Sequence, residues 1–408
     1  MGSILNFVFE SKETENGTEF NEPGYKRFYP SAYHDVLFWK EKNKNLYTKT
    51  YNYSIAKNSK NIFLLESGNN WGILDRVNGK TIFDTFPDTF IQKIRTSQIK
   101  IVLACVGEAT EYTNEYFEKL KQLLNKYGLN ESHLILIDGN ISINEFKNNF
   151  KKYGSLHFLV TNHRPEAGEN DLGYTTQLPT EEEVNNRLER SKHFLSLNRA
   201  PRPHRVYYFS HLYEAKLLDK GYFSFLTPID LKHYGGVFGK YKKYKDEINN
   251  LIPIELDTIK LEWPKQGFFT GNTLYKEHYL DSYFNITTET FFFEKATFFT
   301  EKTLKPILGL QPFIMISTAH FLKYFKEMGF KTFDSIWDES YDEEEDDFLR
   351  MQKILNLIEE ISNWSLDTCK EKYKLVIDIC IYNRNHLYNN IYTDRELETI
   401  IETIKNEW

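Results

Sequence analysis

The chain of 408 residues has few cysteines and no long apolar run. Its three cysteines, Cys105, Cys369 and Cys380, are far apart and form no Cys-x-x-Cys pair. This usage predicts a reducing compartment and argues against a cysteine-based zinc site. No uncharged apolar run reaches the length of about 18 residues that a membrane-spanning helix needs.

The N-terminus also lacks targeting signals. Its short apolar stretch has no basic lead, and Asn6 stands where a myristoylation motif requires Ser or Thr. We therefore expect neither a signal peptide nor N-terminal myristoylation, and we predict a cytoplasmic protein.

Acidic charge is concentrated in one segment. The formal net charge is −7, and residues 338–347 alone hold eight acidic and no basic side chains. The rest of the chain is close to neutral, so the total charge neither predicts nor excludes binding to a polyanion. We interpret the acidic segment as a solvated loop followed by the first turn of a helix, where negative charge is favourable.

Short apolar runs alternate with helical patterns from residue 62 onward. In the first half, strands are predicted at Ile62–Glu66, Ile99–Val106, His133–Ile137 and Leu156–Val160, and a helix at Asn114–Tyr127 ended by Gly128. In the second half, strands are predicted at His193–Leu197, Tyr222–Leu226, Tyr283–Thr287 and Pro312–Ile316, with helices at Pro203–Leu218 and Lys302–Leu310. Strand, helix and strand within about 40 residues indicate parallel α/β sheets.

The pattern predicts the fold class α/β with two domains and a helical tail. We expect an N-terminal domain at 1–185, a second domain at 186–345, and C-terminal helices at 346–408 that pack back on the N-terminal domain. Apolar residues at helical spacing predict a helix at Asp347–Ile361, and Thr393–Glu396 forms a capping box that would open another.

Basic residues are concentrated directly after the strand His193–Leu197. The segment NRAPRPHR contains Asn198, Arg199, Arg202 and Arg205. A turn from a strand into a helix directs backbone N–H groups toward a ligand, and guanidinium groups bind phosphates in a bidentate manner. The segment therefore predicts a diphosphate site, and the alternative is a solvated basic turn.

A second charged segment opens the helix Lys302–Leu310. Thr300 fits the N-cap, Glu301 and Lys302 fit the first turn, and Lys305 follows one turn later. A carboxylate here could accept both ribose hydroxyls and the lysines could meet phosphates; the alternative is an ordinary capped helix with surface charges. Glu289, at the end of the preceding strand, could face the same cleft.

Four segments in order carry a resemblance to a known family: FLSLNRAPRPHR, ITTETFFFEK, FFTEKTLKPILGLQPFIMIS and LKYFKEMGFKTFDSIWDESYD. Over about residues 192–342 the chain resembles GT-B glycosyltransferases of phage, giant-virus and bacterial type. That resemblance implies a GT-B-like fold, in which two Rossmann-like domains face a cleft.

The TEK triplet at 300–302 is similar to the donor motif of α-1,3-fucosyltransferases. The resemblance implies that Glu301 contacts ribose, that Lys302 contacts the diphosphate, and that Arg199 or Arg205 provides a second phosphate contact. The Glu-Asn-Ser element that precedes TEK in fucosyltransferases is absent here, and Thr288-Glu289-Thr290 stands near its place. Fucose is therefore not implied as the donor sugar.

The resemblance implies a glycosyltransferase that uses a nucleoside diphosphate sugar. We expect no metal site and no cofactor, because the basic side chains would replace a cation and residues 338–347 lack an Asp-x-Asp element within an apolar strand. The acceptor would be a glycan, a protein or a hydroxymethylated DNA base. Glu108 is our candidate for the catalytic base; further carboxylates and one imidazole near predicted strand ends are Glu66, Glu111, Asp138 and His163.

Two other interpretations stay open at this point. The chain could be a catalytically silent protein that binds nucleotide sugars or other partners, or a sugar-nucleotide epimerase. A silent protein would bind a nucleotide without turnover, and an epimerase would convert its donor with no acceptor present.

Overall fold

A computed structural model describes most of the chain. The described residues are 4–8, 20–22, 25–27, 47–50, 52–67, 73–74, 80–105, 109–154, 176–226, 241–254, 256, 259–260, 268–269 and 274–391, with positions 402 and 406. The Cα positions divide the chain into one unit of residues 1–162 with 391–408, and a second unit of residues 163–390. The domain boundaries that we predicted near 185 and 346 stay predictions.

The first unit is built on a six-stranded sheet. The strands of this sheet are, in chain order, β1 (Ile4–Val8), β4 (Tyr47–Thr50), β5 (Ser59–Ser67), β6 (Ile99–Cys105), β7 (Leu134–Asp138) and β8 (Lys151–Gly154). The short strands β2 (Phe20–Glu22) and β3 (Tyr25–Arg27) form a separate pair. The main sheet has the order β4-β1-β5-β6-β7-β8, and every neighbouring pair in it is parallel. Among its described residues, the α-helices of this unit are α1 (Asp88–Arg95) and α2 (Asn114–Lys126).

The apolar runs of the first half form the central strands of this sheet. The strands predicted at Ile62–Glu66, Ile99–Val106 and His133–Ile137 correspond to β5, β6 and β7. Thr113 caps α2, and Gly128 follows that helix with a φ of 67°, the left-handed region that glycine tolerates best. The strand predicted at Leu156–Val160 lies outside the described residues.

The second unit contains a four-stranded parallel sheet. Its strands in chain order are β9 (Thr176–Gln177), β10 (Lys192–Asn198), β11 (Gly221–Phe225), β12 (Ile259–Lys260), β13 (Phe268–Phe269), β14 (Leu274–Tyr275), β15 (Ser282–Thr288) and β16 (Phe313–Ile316). The main sheet has the order β11-β10-β15-β16, while β9 pairs with β14 and β12 with β13. Every residue of β15 is buried, as a central strand covered on both faces requires.

The helices of the second unit connect and cover this sheet. They are α3 (Glu181–Asn186), α4 (Pro203–Glu214), α5 (Tyr241–Leu251), α6 (Lys276–Leu280), α7 (Glu301–Leu308), α8 (Phe321–Glu327), α9 (Asp347–Asn363) and α10 (Leu366–His386). The strands predicted from the sequence correspond to β10, β11, β15 and β16, and the predicted helices to α4, α7 and α9.

The two long C-terminal helices pack on the second sheet. Helix α9 contacts β16, and α10 contacts α7, β10 and β15. Tyr373 of α10 donates a hydrogen bond of 2.9 Å to the carbonyl of Leu310, just before β16. The α/β class with parallel sheets and C-terminal helices is thus confirmed, whereas two domains facing a cleft, and a tail packed on the N-terminal domain, stay predictions. No helix among the described residues is long and apolar enough to cross a membrane.

Candidate functional site

The two central strands of the second sheet are joined by side chains where they end. Asn198 is the last residue of β10 and Thr288 the last of β15. The Thr288 hydroxyl donates a hydrogen bond of 2.5 Å to Asn198 Oδ1, and Asn198 Nδ2 donates one of 3.2 Å to Ser196 Oγ. Asn198 and Thr288 are both buried. Asn198, which we predicted to bind the donor, therefore braces the carboxyl edge of the sheet.

Two residues at the start of α4 hold the main chain that leaves β15. His204 Nε2 donates a hydrogen bond of 2.9 Å to the carbonyl of Glu289, which fixes the tautomer because a carbonyl only accepts. Arg205 Nη2 donates to the carbonyls of Thr288 at 3.2 Å and Glu289 at 3.0 Å. Because both side chains are buried, Arg205 serves to fix this edge, and its guanidinium does not lie at the surface.

Glu289 connects the end of β15 to the helix that opens with the TEK triplet. The residue is fully buried. One carboxylate oxygen accepts hydrogen bonds from Thr300 N at 3.0 Å and Thr303 Oγ1 at 2.5 Å. The other accepts from Thr300 Oγ1 at 2.7 Å and Thr290 N at 3.0 Å. This carboxylate therefore secures the N-terminus of α7.

The first turn of α7 has the arrangement that the sequence predicts. Thr300 is the N-cap and accepts a hydrogen bond of 3.2 Å from Lys302 N, so Glu301 and Lys302 occupy the first two helical positions. Lys302 Nζ lies 2.6 Å from Glu301 Oε1, and the two side chains keep 22% and 25% exposure. Both can therefore reach a ligand, whereas Lys305 on the next turn is buried.

Several cations act on one buried histidine at this edge. The pKa of His204 lies well below its ordinary value because burial disfavours the imidazolium and because Arg205, Arg202 and Lys302 add positive charge. Arg199 is exposed and Arg202 is half-buried. Their guanidinium groups form no hydrogen bond or ion pair with other residues in the part of the chain that the structure describes. The edge thus combines positive potential with two free guanidinium groups.

The structure adds a residue that the sequence analysis missed, Arg350 of α9. Its guanidinium lies over the ring of Phe292 at 4.5 Å, and that ring stacks on His204 with centroids 5.6 Å apart. Arg350 also donates to the carbonyls of Phe292 at 2.7 Å and Ser317 at 3.1 Å. The sequence does contain a signal for Arg350, because this arginine lies beside Met351 on the apolar face of a predicted helix.

The acidic segment 338–347 caps two helices, and Asp342 within it is buried, whereas we interpreted the segment as a solvated loop followed by a first helical turn. Asp342 accepts hydrogen bonds from the amides of Leu322 at 2.9 Å and Lys323 at 3.2 Å at the start of α8, and burial raises the pKa of Asp342. Asp346 caps α9, and Asp347 pairs with Arg350. The described residues contain no group of three or more His, Cys, Asp or Glu side chains placed to hold a metal ion.

The N-terminal candidates for a catalytic base remain predictions. Glu108 and His163 lie outside the described residues, as does the side chain of Glu66, and Glu111 is exposed. Asp138, at the end of β7, is fully buried and accepts from the amides of Thr110 and Asn140 and the hydroxyl of Tyr112, at distances from 2.8 to 2.9 Å. Burial raises the pKa of Asp138 to about 6. These contacts make Asp138 a brace of the loop after β7.

No family model and no curated protein matches the chain. Among solved structures it is similar to the α,α-trehalose 6-phosphate synthase of Burkholderia multivorans, with a TM-score of 0.38, 9% identity, and coverage of 100% of this chain and 97% of that one. It is also similar to an E. coli trehalose-6-phosphate protein bound with UDP-2-fluoro glucose, with a TM-score of 0.38, 10% identity, and coverage of 98% of this chain and 99% of that one. A glycosyltransferase from Rickettsia africae ESF-5 is similar with a TM-score of 0.38, 11% identity, and coverage of 100% of this chain and 99% of that one. The fold class given above rests on the chain's own sheet topology.

Proposed function

We propose that the chain is a glycosyltransferase that moves a sugar from a nucleoside diphosphate sugar to an acceptor hydroxyl. One observation carries this proposal. Asn198, Glu289 and Thr300, from three separate segments, are tied together at the carboxyl edge of one parallel sheet, through Thr288 and the Glu289 carboxylate. Parallel α/β sheets bind their ligands at this edge.

The predicted donor-site residues fall into two groups, accessible and buried, and we assign a different role to each group. Arg199, Arg202 and Lys302 are accessible, and we assign them to the diphosphate. Glu301 is assigned to the ribose hydroxyls, because it is the accessible carboxylate on the same turn. The buried members of the set, Asn198, Arg205, Glu289 and Lys305, hold the edge in shape or add to its positive field.

The cations also give a chemical reason for transfer without a metal. Breaking the bond between the sugar and the diphosphate leaves negative charge on the leaving phosphate. Fixed cations stabilise that charge in the transition state more than in the bound donor, which lowers the barrier. We therefore propose that a metal ion is dispensable and that no cofactor beyond the donor is needed.

The acceptor side of the proposal depends on the N-terminal unit. We propose Glu108 as the base that takes the proton of the acceptor hydroxyl, because it comes three residues after the end of β6 in the sequence. The acceptor would be a glycan, a protein or a hydroxymethylated DNA base.

A thermal-shift panel of UDP-, GDP-, ADP- and CMP-sugars, run with and without EDTA, tests the proposal. A ligand that binds only the folded protein raises its melting temperature by mass action, so we expect one nucleotide to stand out in both conditions. Incubation of that donor with no acceptor should give no epimer. No stabilisation by any member, or stabilisation that EDTA abolishes, would contradict the proposal.

A further inference from the structure

We propose that Glu289 is a positioning residue, which sets the N-terminus of α7 for phosphate binding without itself touching the donor. The inference rests on the proposed function for its ligand, but the contacts that carry it are internal to the second unit. It changes the role that the sequence suggested for Glu289, from a group that contacts the donor to one that supports the contacting groups.

The acceptor capacity of Glu289 is directed entirely inward. Four donors fill its two oxygens, and three of them belong to Thr300 and Thr303. The residue has no exposed surface, so a ribose could reach it only after the first turn of α7 moved away. Bonds to a charged acceptor are stronger than those between neutral groups, which suits the carboxylate to hold this turn.

The main chain of Glu289 is fixed from the opposite side. His204 and Arg205 both donate to its carbonyl oxygen. The imidazole of His204 stacks on Phe292, which in turn lies under the Arg350 guanidinium. Helices α4 and α9 thus support the residue from which the carboxylate reaches α7. Such support by packed and hydrogen-bonded neighbours is what keeps a binding group in its working geometry.

The direction in which phosphate binding changes in Glu289→Gln distinguishes a positioning role from a purely electrostatic one. Glu289→Gln removes a negative charge from beneath a cationic edge, and charge alone would make phosphate bind more tightly. In the positioning role, the same substitution weakens binding. The amide can replace only one oxygen as an acceptor, so in either orientation its NH₂ group would face a main-chain N–H, that of Thr290 or that of Thr300. The contacts that hold Glu289 against the first turn of α7 would therefore be weakened.

The experiment measures binding of inorganic pyrophosphate, UDP and GDP by calorimetry. We expect Glu289→Gln to weaken the binding of any probe that the unmodified protein binds by about tenfold or more. Thr303→Val, which removes one donor without changing charge, should weaken it in the same direction, and Thr303→Ser should restore it. Glu294→Gln is the matched control, because Glu294 accepts only from the amides of Phe292 and Phe293 in the described chain.

Three results would overturn the inference: tighter or unchanged binding in Glu289→Gln, unchanged binding in Thr303→Val, or equal losses in Thr303→Val and Thr303→Ser. If Glu289→Gln does not fold, the two Thr303 variants carry the test, because they keep the carboxylate.

A second readout separates failure of this inference from failure of the proposed function. If the unmodified protein binds none of the three probes, the proposed function fails. Hydrogen exchange of a peptide covering 299–308 still tests the positioning, since the amides of Thr303 and Leu304 donate to the Thr300 carbonyl. We expect faster exchange there in Glu289→Gln than in Glu294→Gln, and equal rates would overturn the inference.

Discussion

The hydroxyl of Thr288 donates a hydrogen bond of 2.5 Å to the Oδ1 atom of Asn198. The two residues end neighbouring parallel strands, and both are buried. This bond brings the segment rich in arginine after β10 beside the segment that leads from β15 toward α7. The geometry of the proposed donor site therefore depends on polar side chains that a ligand does not touch.

Replacing Thr288 with Val should destabilise the second unit. Valine has nearly the same volume, but it leaves Asn198 Oδ1 buried without this donor, which costs about 1–3 kcal/mol. Urea denaturation measures the free energy of unfolding. Thr288→Ser keeps the hydroxyl and should lose clearly less; equal stability of the valine variant and the unmodified protein would show that the bond is dispensable.

Replacing Arg350 even with lysine should destabilise the protein. Its planar guanidinium serves the carbonyls of Phe292, Ser317 and Glu344 at once, and a single ammonium group cannot match that geometry. We expect Arg350→Lys to lower the free energy of unfolding by about 2–4 kcal/mol.

The matched control for this arginine is Arg187→Lys. Arg187 pairs with Glu277 at 2.6 Å with both side chains largely exposed, so the change should cost less than about 1 kcal/mol. Equal losses in the two variants by urea denaturation would contradict the role of Arg350 in holding the main chain at Phe292, Ser317 and Glu344.

Asp138 should make the stability of the first unit depend on pH. Burial raises the pKa of its carboxyl in the folded protein from 3.8 to about 6, so folding favours the protonated form. The resulting stability is fully present below pH 3.8 and is lost as pH rises through about 6. The loss is about 2–3 kcal/mol by pH 7.

Asp138→Asn isolates this contribution. The amide oxygen can still accept from the amides of Thr110 and Asn140, and the Tyr112 hydroxyl can accept from the new NH₂ group. Urea denaturation between pH 4 and pH 7 should show the unmodified protein losing stability relative to the variant. Parallel curves for the two proteins would mean that the carboxyl titrates at its ordinary pKa.

Most of the apolar strands of the two main sheets could be predicted from the sequence. Strands such as β7 and β15 are continuous buried runs, and such runs can be recognised without tertiary contacts. Strand β8 was missed because its sequence, KKYG, is polar, and only its pairing with β7 makes it a strand. Edge strands of this kind have little signal of their own.

Only the part of the candidate site that depends on local sequence could be predicted. Position along the chain placed Glu301 and Lys302 at the start of a helix, which needs only local capping rules. Local rules could not show that Glu289 points into the protein, because its partners Thr300 and Thr303 lie across a loop. Nor could they connect His204 with Arg350, which are brought together only by Phe292.

Glu301→Gln should separate ribose recognition from phosphate recognition. If its carboxylate meets the ribose hydroxyls, the variant should bind the nucleoside diphosphate more weakly by about 1 kcal/mol, because an amide still accepts one hydrogen bond. Its affinity for inorganic pyrophosphate should change less than about twofold. Calorimetry with both probes checks this, and an equal loss for both would place Glu301 at the phosphates instead.

The most direct test of the donor site is the affinity of Lys302→Ala for the nucleoside diphosphate that stabilises the unmodified protein. Lys302 is accessible at the first turn of α7, so its removal should leave the fold intact and weaken binding by roughly 1.5–3 kcal/mol, the scale of a charge-assisted hydrogen bond. Lys192→Ala is the control, because Lys192 begins β10 at the opposite edge of the same sheet and donates to the carbonyl of Asp219. Calorimetry should show the loss in Lys302→Ala alone. Unchanged affinity in Lys302→Ala, or an equal loss in both variants, would contradict a donor site at the carboxyl edge of the second sheet.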